Sequence, residues 1–316
     1  NNLCGQDVRL PLGLLVGFCG VSGSGKSTLL VDTVGRALAP RTHTTSVASE
    51  PLEPGEHDGI ENAPSRTVIV DQAKAGVTNP ADYLGISSAL RKRCAESDDA
   101  RALGLDEKTL ARKCSTCRGR GFTKTNMGFL PDVFSPCDTC RGTGYLPEAW
   151  EVRLHDVSLP ELFGKTIDEV HDILGDEERI ARPLVAARDV GLGYLVLRQA
   201  GHTLSGGEAQ RLKIAKELCR RTRGPTFYIL DEPTVGQHPE DVARLVGVLQ
   251  RLVDAGHSVL VVEHHIHLLA ACDWLIELGP GGGPDGGRVI AEGSPETVAA
   301  GQTPTAPFLR ELLEVS

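Results

Sequence analysis

The sequence is poor in aromatic residues, lacks long apolar runs and carries no general excess of positive charge. Aromatic side chains make up 4% of the 316 residues, so stacking of nucleic-acid bases on aromatic rings is not expected as a main mode of binding. No stretch approaches the roughly 18 consecutive apolar residues of a transmembrane helix, and no membrane partner is expected. The net charge is −9, and any basic surface must therefore be local.

The start of the chain, NNLCGQDVRLPLG, has neither an initiator methionine nor a signal-peptide pattern. We expect the chain to be a fragment of a longer protein. Its nine cysteines do not suggest a disulfide framework, because four lie in two tight pairs and the others are scattered. This usage is typical of a reducing cytoplasm and of one metal site.

Apolar strand patterns alternate with helical patterns along much of the chain. With 40% apolar residues, the chain can bury a core of one large or two small domains. The segments predicted as strands are 14–20, 67–72, 227–233, 258–264, WLIELGP and RVIAEGSP, and the last two flank the glycine-rich turn GGGPDGG. Residues 239–256 are predicted as a helix and residues 37–66 as a surface loop. The alternation predicts an α/β fold around a mostly parallel sheet.

A glycine-rich motif follows the first predicted strand. GVSGSGKS, which begins at Gly20, matches GxxxxGK(S/T) between a strand and a helix. Glycines let the backbone wrap closely, so that N–H groups and the helix N-terminus face phosphates. The lysine adds a positive charge and the serine hydroxyl can ligate Mg²⁺. The motif predicts that ATP and Mg²⁺ are bound by Gly20, Ser22, Gly23, Gly25, Lys26, Ser27 and Thr28.

Two acidic residues end the predicted strand in YILDEP. Asp231 is predicted to hold Mg²⁺ through a water molecule, and Glu232 to polarise the attacking water as a general base. By itself, Asp-Glu-Pro at a strand end is equally compatible with a solvated turn. The phosphate loop elsewhere in the chain favours the catalytic interpretation.

A second helix start with exposed amide groups is predicted at LSGGEAQR, where Ser205 is the expected N-cap. This stretch resembles the signature of ABC-type ATPases, in which the signature of one nucleotide-binding domain completes the ATP site of another. The resemblance implies a second nucleotide-binding domain as a partner, either in a missing N-terminal half or in a dimer mate. The signature residues that it implies are Ser205, Gly206, Gly207 and Glu208.

The same resemblance assigns roles to two further residues. Gln72, in VIVDQ, matches the glutamine loop, which senses the γ-phosphate and Mg²⁺. His264, in LVVEH, matches the switch histidine, which contacts the γ-phosphate. For Gln72, a solvated strand end without a role is the alternative.

Two C-x₂-C pairs, nineteen residues apart, lie between the phosphate loop and the signature. The pairs suit tetrahedral coordination of Zn²⁺ by four thiolates, and a site closed by four cysteines is structural rather than catalytic. Each pair begins a CxxCxGxG repeat, which resembles the zinc region of J-domain co-chaperones, a family without a phosphate loop. Four thiols without a metal are the alternative. The predicted zinc ligands are Cys114, Cys117, Cys137 and Cys140.

Residues 111–131 contain basic residues and no acidic residue. Such a local positive patch suits contacts with DNA phosphates. Solvation of a small zinc module is the alternative explanation of the same charges. The candidates for DNA contact are Arg112, Lys113, Arg118, Arg120 and Lys124.

The combination of ATPase motifs with cysteine repeats resembles the UvrA family, the damage-sensing ATPases of bacterial nucleotide excision repair. The matching stretches cover most of the chain in the same order, and include PLGLLVGFCGVSGSGKSTLL, the cysteine segment, DVGLGYLVLRQAGHTLSGGEAQRLKIAKEL and YILDEPTVGQH. The resemblance implies the C-terminal half of such a protein. It predicts an ABC-type ATP-binding core at residues 1–88 and 225–316, and an inserted zinc-containing signature domain at residues 89–224.

The implied function is ATP hydrolysis that controls binding to damaged or drug-bound double-stranded DNA, within an excinuclease-type complex that has other subunits. Two interpretations stay open within the family: the housekeeping repair protein, and a divergent paralogue that protects antibiotic producers from DNA-binding drugs. A transporter ATPase and a zinc-dependent binding module are the alternatives from other classes. The expected cofactors are ATP, Mg²⁺ and Zn²⁺.

Overall fold

The computed structural model describes residue 3 and residues 5–39, 53–72, 78–128, 133–220 and 224–313. The strands are β1 Leu15–Gly20, β2 Thr67–Val70, β3 Phe122–Thr125, β4 Val133–Pro136, β5 Arg153–Leu154, β6 Val157–Ser158, β7 Phe227–Asp231, β8 Ser258–Val262, β9 Trp274–Gly279 and β10 Arg288–Gly293. The first α-helix, α1 (Arg36–Leu38), continues a π-helical segment, Thr28–Gly35. Short 3₁₀ turns span Pro147–Trp150, Gly201–Thr203 and Gly283–Asp285.

The remaining α-helices follow in chain order, and most are short. They are α2 Pro80–Tyr83, α3 Ile86–Ala95, α4 Asp98–Ala102, α5 Glu107–Leu110, α6 Leu159–Gly164, α7 Ile167–Leu174, α8 Glu178–Asp189, α9 Gly206–Leu218, α10 Pro239–Asp254, α11 Ile266–Ala270, α12 Pro295–Ala299 and α13 Ala306–Leu313. Within the described ranges, none of these helices combines the length and the apolar character needed to span a bilayer.

The chain forms two compact units. The first unit comprises Asn1–Gly76, Asp189–Gly191 and Leu204–Ser316, and the second comprises Val77–Arg188 and Leu192–Thr203. These units divide the chain at other positions than the predicted domain boundaries, and the signature helix α9 lies in the first unit. The boundaries at 88/89 and 224/225 stay a prediction.

A six-stranded sheet forms the centre of the first unit, in the order β10-β9-β1-β8-β7-β2. All neighbouring strands are parallel except β10, which runs antiparallel to β9. Every residue of β1 and β8 is buried. Strands covered on both faces need continuous apolar sequences, as in LVGFCG and SVLVV. The predicted α/β fold with a mostly parallel sheet is therefore confirmed.

The register of the sheet aligns the carboxyl ends of four strands. Val262 of β8 pairs with Phe18 of β1 and with Asp231 of β7, and Val70 of β2 pairs with Leu230. The segments that leave these strands therefore begin at one edge of the sheet. In open α/β sheets this edge is where ligands bind.

The second unit contains small hairpins and helices around its own core. Strands β3 and β4 pair antiparallel in the cysteine segment, which runs from Cys114 to Cys140, and β5 pairs with β6. The segment LPELFGKTIDEVHDIL, residues 159–174, forms the two helices α6 and α7, and Thr166 is the N-cap of α7 in a capping box. The backbone N–H of Thr166 donates to Glu169 Oε2 (2.8 Å), and the Thr166 hydroxyl accepts from the Glu169 N–H (3.2 Å). These bonds satisfy amide groups at the new helix start.

Candidate functional site

The phosphate loop places a buried ammonium group beside two carboxylates. Lys26 is 5% exposed, and its Nζ donates hydrogen bonds of 2.9 Å to the carbonyl oxygens of Gly20 and Val21. Burial lowers the pKa of Lys26, and the nearby carboxyl groups of Glu232 and Asp231 partly oppose that shift. The ammonium is thus held inside the loop, where an anion could replace the carbonyl oxygens as its partner.

The glycine-rich turn after β9 packs directly against the backbone of the phosphate loop. The Gly283 N–H donates to Gly23 O over 3.0 Å. A side chain at Gly282 has no room, because its Cβ would lie 2.5 Å from Ser22 O. The sequence predicts a turn between two strands here, and the structure adds its contact with the loop.

The Ser27 hydroxyl and the Asp231 carboxylate lie side by side next to the loop. The Ser27 hydroxyl donates to Asp231 Oδ1 over 3.1 Å. Burial raises the pKa of Asp231, and the hydrogen bond from Ser27 lowers it. Adjacent oxygens around Mg²⁺ are about 2.9 Å apart when the bonds are about 2.0–2.1 Å long. The spacing and chemistry of the pair therefore fit a magnesium site.

Glu232 has a strained backbone that its neighbours hold in place. Its φ angle is +46°, which for a residue other than glycine costs about 1–3 kcal/mol. Its N–H donates to Val262 O (2.9 Å), and its carbonyl oxygen accepts from Gln72 Nε2 (3.4 Å) and from the Val235 N–H (3.3 Å). Such strain is found where a functional side chain must be aimed.

His264 faces the Glu232 carboxylate. The distance from His264 Nε2 to Glu232 Oε1 is 3.7 Å, and both side chains are partly exposed. Burial lowers the pKa of His264, Lys26 lowers it further, and Glu232 raises it. The net effect is a lowered pKa, which favours the neutral form of the imidazole.

The signature helix begins with the predicted cap. The Ser205 N–H donates to Glu208 Oε2 (2.6 Å), and the Glu208 N–H donates to Ser205 Oγ (3.1 Å). A Cβ at Gly206 would lie 3.3 Å from Gln72 Oε1, and a Cβ at Gly207 would lie 3.3 Å from Val235 O. Glycine lets the helix start approach these residues closely.

Sequence reasoning missed two residues of α9 that hold strand ends. Gln210 is fully buried, and its Nε2 donates to Val70 O (3.1 Å) and to Asp231 O (2.7 Å). Lys213 pairs with Asp71 Oδ1 over 2.5 Å. Their spacing of three residues puts both on one helix face. The spacing could have indicated that both side chains lie on the same face of α9. It could not indicate their partners, because these lie on other strands and loops.

The four predicted zinc ligands form one buried cluster in the second unit. All four Sγ atoms lie within 4.8 Å of one another. The Sγ atoms of Cys114 and Cys137 are 3.9 Å apart, and those of Cys117 and Cys140 are 3.6 Å apart. Thiolates around one Zn²⁺ at about 2.3 Å are about 3.8 Å apart, so the cluster fits a tetrahedral S₄ site.

The two cysteine repeats are arranged with pseudo-twofold symmetry. Gly121 N–H donates to Cys117 Sγ (3.3 Å), and Gly144 N–H donates to Cys140 Sγ (3.1 Å). Each of these glycines also accepts a 2.8 Å bond from the first cysteine of the other repeat. Such N–H···S bonds stabilise the negative charge of thiolates. The second glycine of each CxxCxGxG repeat therefore supports the cysteine cluster.

The pKa values of two thiols in this cluster, Cys114 and Cys140, are shifted in opposite directions. The backbone N–H of Cys117 lowers the pKa of Cys114 to about 7. Burial raises the pKa of Cys140 to about 12. A divalent cation would stabilise all four thiolates, and its binding would release protons.

The five basic residues predicted to contact DNA are all exposed or partly exposed: Arg112, Lys113, Arg118, Arg120 and Lys124. Arg118 has a φ angle of +55°, and Arg141 follows the second cysteine pair with a φ of +51°. Arg141 is exposed as well. It was missed because the basic run ends before it, although the repeat CxxCRG contains an arginine in both copies.

The parallel sheet, the phosphate loop and the residues gathered at its carboxyl edge define an ABC-type P-loop ATPase domain. The family model described as ABC transporter matches residues 139–235, which include the signature and the Asp-Glu-Pro segment. Over its entire length the chain is 43% identical to UvrABC system protein A of Thermus thermophilus. The protein of the same name from Methanothermobacter thermautotrophicus is also 43% identical, over 99% of the chain.

A solved structure shows the same relationship in three dimensions. The crystal structure of UvrA2 from Deinococcus radiodurans matches 99% of this chain with a TM-score of 0.85 and 43% identity. The chain therefore belongs to the UvrA family. It spans about a third of the length of these relatives, 34% and 33% of the two curated proteins and 38% of the solved chain.

Replacement of Gly282 by Ala should weaken ATP binding. The added Cβ pushes on the Ser22 carbonyl and displaces the phosphate loop. Overpacking costs about 1–3 kcal/mol, and if this cost falls on the ATP-binding conformation of the loop, the affinity should fall by about 5- to 150-fold. Titration with a fluorescent ATP analogue measures the affinity. The control is Gly247→Ala, because an added Cβ at Gly247 meets open space. Equal affinity for both variants would contradict the support by the turn.

Replacement of Cys137 by Ser should remove the metal. We expect about one zinc ion per chain in the parent protein and almost none in the variant, since S₄ coordination needs every thiolate. Metal analysis after dialysis against a weak chelator gives the result. Cys94→Ala is the matched control, because Cys94 is buried in the same unit outside the cluster. Unchanged zinc in Cys137→Ser would refute the site.

Proposed function

We propose that this chain is the nucleotide-binding part of an ATPase that controls the binding of double-stranded DNA in excision repair. The observation that supports the activity most directly is the grouping of Lys26, Ser27, Asp231, Glu232 and His264 at one edge of the sheet. A phosphate-binding loop next to two acidic residues and an imidazole provides the parts for phosphoryl transfer to water.

Each side chain has a role in this proposal. The loop from Gly20 to Thr28 binds the ATP phosphates, and Lys26 turns from the loop carbonyls to the β- and γ-phosphates. Ser27 and Asp231 hold Mg²⁺, directly or through water. Magnesium, when bound, neutralises charge on the phosphates.

The remaining groups act on the water molecule and the γ-phosphate. Glu232 accepts a proton from the attacking water, and its strained backbone aims the carboxylate. The lowered pKa of His264 favours the neutral imidazole, whose Nε2 donates a hydrogen bond to the γ-phosphate in one tautomer and accepts one from the water in the other. Gln72, which is hydrogen-bonded to the Glu232 carbonyl, senses whether the γ-phosphate and Mg²⁺ are present.

The signature residues serve a second nucleotide-binding domain. The start of α9 carries exposed Ser205 and two glycines, and a helix N-terminus attracts anions. We propose that Ser205, Gly206, Gly207 and Glu208 complete an ATP site in the other half of the full protein or in a dimer mate. Hydrolysis then changes how the two halves pack and how they hold DNA.

We propose that the segment from Cys114 to Cys140 in the second unit holds a structural zinc ion and presents basic residues to DNA phosphates. The symmetric arrangement of the repeats exposes Arg118 and Arg141 at matching positions. With few aromatic residues, the contacts would be to the backbone, so the protein would respond to DNA shape and deformability rather than sequence. Damaged or drug-bound duplex is the proposed substrate.

Other subunits of an excinuclease are the proposed partners, because the curated relatives carry the name of a UvrABC system. A paralogue of the repair protein that acts on drug-bound DNA is the second candidate, and the equal identity of 43% to UvrABC system protein A and to UvrA2 fits both candidates. A cytoplasmic location fits the absence of disulfides at Cys19, Cys94 and Cys272 among the described residues.

Glu232→Gln should leave ATP binding intact and lower the rate of hydrolysis by about 10²–10⁴-fold, the usual effect of removing a general base. Phosphate release and binding of a fluorescent ATP analogue are measured on the same preparations. Glu292→Gln, on the exposed surface of the edge strand β10, is the control. Turnover near that of the parent protein would exclude Glu232 as the base.

Replacing Arg118, Arg120 and Lys124 together by Ala should weaken binding to duplex DNA. The slope of log K against log salt should flatten by about 0.9 for each phosphate that the variant no longer neutralises, with zinc content unchanged. Binding is measured by fluorescence anisotropy over a range of salt concentrations, with damaged and intact duplex.

The matched control removes three basic residues elsewhere in the second unit, Lys92, Arg101 and Arg179. An identical slope in both triple variants would show that the cysteine segment does not contact DNA.

A further inference from the structure

A buried glutamate with no role in the proposed chemistry lies directly before the switch histidine. Glu263 follows β8 and is 2% exposed. Its backbone N–H donates to Phe18 O over 3.0 Å, which fixes the residue at the end of the central strand β1. Its carboxylate points away from solvent, so its charge must be balanced by hydrogen bonds.

The two carboxylate oxygens of Glu263 bind two different segments. Oε1 accepts from Thr234, both from the backbone N–H (2.8 Å) and from the hydroxyl (2.6 Å). Oε2 accepts from the backbone N–H groups of His264 (2.8 Å) and His265 (3.1 Å). One oxygen thus holds the loop of Glu232, and the other holds the backbone of the histidine that faces Glu232.

A carboxylate suits this position better than a carboxamide. Four donors point at the group, and a carboxylate has acceptor sites for all of them. A glutamine would turn an NH₂ group towards donors on one side and leave buried N–H groups without a partner. Thr234 is itself 6% exposed, so its hydroxyl has little access to water as a substitute.

We propose that Glu263 is a positioning residue that, with Thr234 as its partner, sets the distance between the Glu232 carboxylate and the His264 imidazole. This assignment rests on the proposed ATPase function. Glu263 lies behind the reacting groups and contacts neither nucleotide nor water in this scheme. It keeps the two strand ends in one register, so that Glu232 Oε1 and His264 Nε2 stay near their 3.7 Å separation.

The chain contains a matched control for this role. Glu277 in β9 is also fully buried. Its carboxylate accepts from the Thr303 hydroxyl and from the Thr305 hydroxyl and N–H. These donors belong to the segment between α12 and α13, so Glu277 supports the fold without a link to Glu232 or His264.

The first test compares steady-state ATP hydrolysis by Glu263→Gln, Thr234→Val and Glu277→Gln in the full-length protein that contains this chain. The first two should lower kcat by roughly 10- to 100-fold, as expected when a catalytic group is misplaced by about 1 Å. The KM for ATP should stay within about twofold because the phosphate loop is untouched. Thr234→Ser, which keeps the hydroxyl that donates to Glu263, should have a kcat close to that of the parent protein. Glu277→Gln should also leave kcat unchanged.

A double-mutant cycle separates positioning from a general loss of structure. If Glu263 sets the distance between Glu232 and His264, Glu263→Gln should lower kcat by a smaller factor in the His264→Ala background than in the parent protein. Additive losses, or a Glu263→Gln enzyme with parental kcat, would overturn the proposal. An equal fall in kcat for Glu277→Gln would do so as well.

A second measurement does not depend on turnover. The amide hydrogens of Thr234, His264 and His265 should exchange with solvent faster in Glu263→Gln than in the parent, while Glu277→Gln leaves them protected. Parental exchange rates in Glu263→Gln would refute the link. If the parent protein hydrolyses no ATP, the proposed function fails, and the exchange data still decide whether Glu263 holds these segments.

Discussion

Parallel pairing of β1, β8, β7 and β2 is the constraint on which the candidate site depends. Parallel strands end at one edge, and here each of the four ends in a segment that carries polar side chains. The phosphate loop leaves β1, the two acids leave β7, the histidine leaves β8 and the glutamine follows β2. A slip of one residue in any of these pairings would turn alternate side chains to the other face of the sheet and would separate the groups.

The polar groups at this edge are supported by a further layer of buried polar contacts. Gln210 and Lys213 of the signature helix bind the ends of β2 and β7, and Glu263 joins the loops after β7 and β8. Buried hydrogen bonds of this kind hold the strand ends rigidly to one another. That rigidity explains how Glu232 can keep its positive φ angle, since isolated strain of this size would relax.

The segment from Cys114 to Cys140 has too small an apolar core to stabilise its own fold. Its two repeats have little apolar surface of their own to bury, and four thiols occupy the centre of the segment. A metal ion that binds all four would supply the folding free energy that a core cannot. The glycines after each pair make the N–H···S bonds and admit close contact between the repeats, where a Cβ at Gly144 would meet Gly119 O at 2.5 Å.

The amino-acid sequence by itself determined the parts whose chemistry depends on contiguous backbone: the phosphate loop, the Asp-Glu-Pro segment, the capped signature helix and the paired cysteines. It also determined the α/β class, because buried parallel strands need unbroken apolar runs. Only the tertiary structure decided which distant groups meet. Thr234 and Glu263, Gln210 and Val70, and Gly282 and Ser22 are brought together by strand order and register. No local pattern encodes these pairs, since each partner alone is compatible with an ordinary loop or helix.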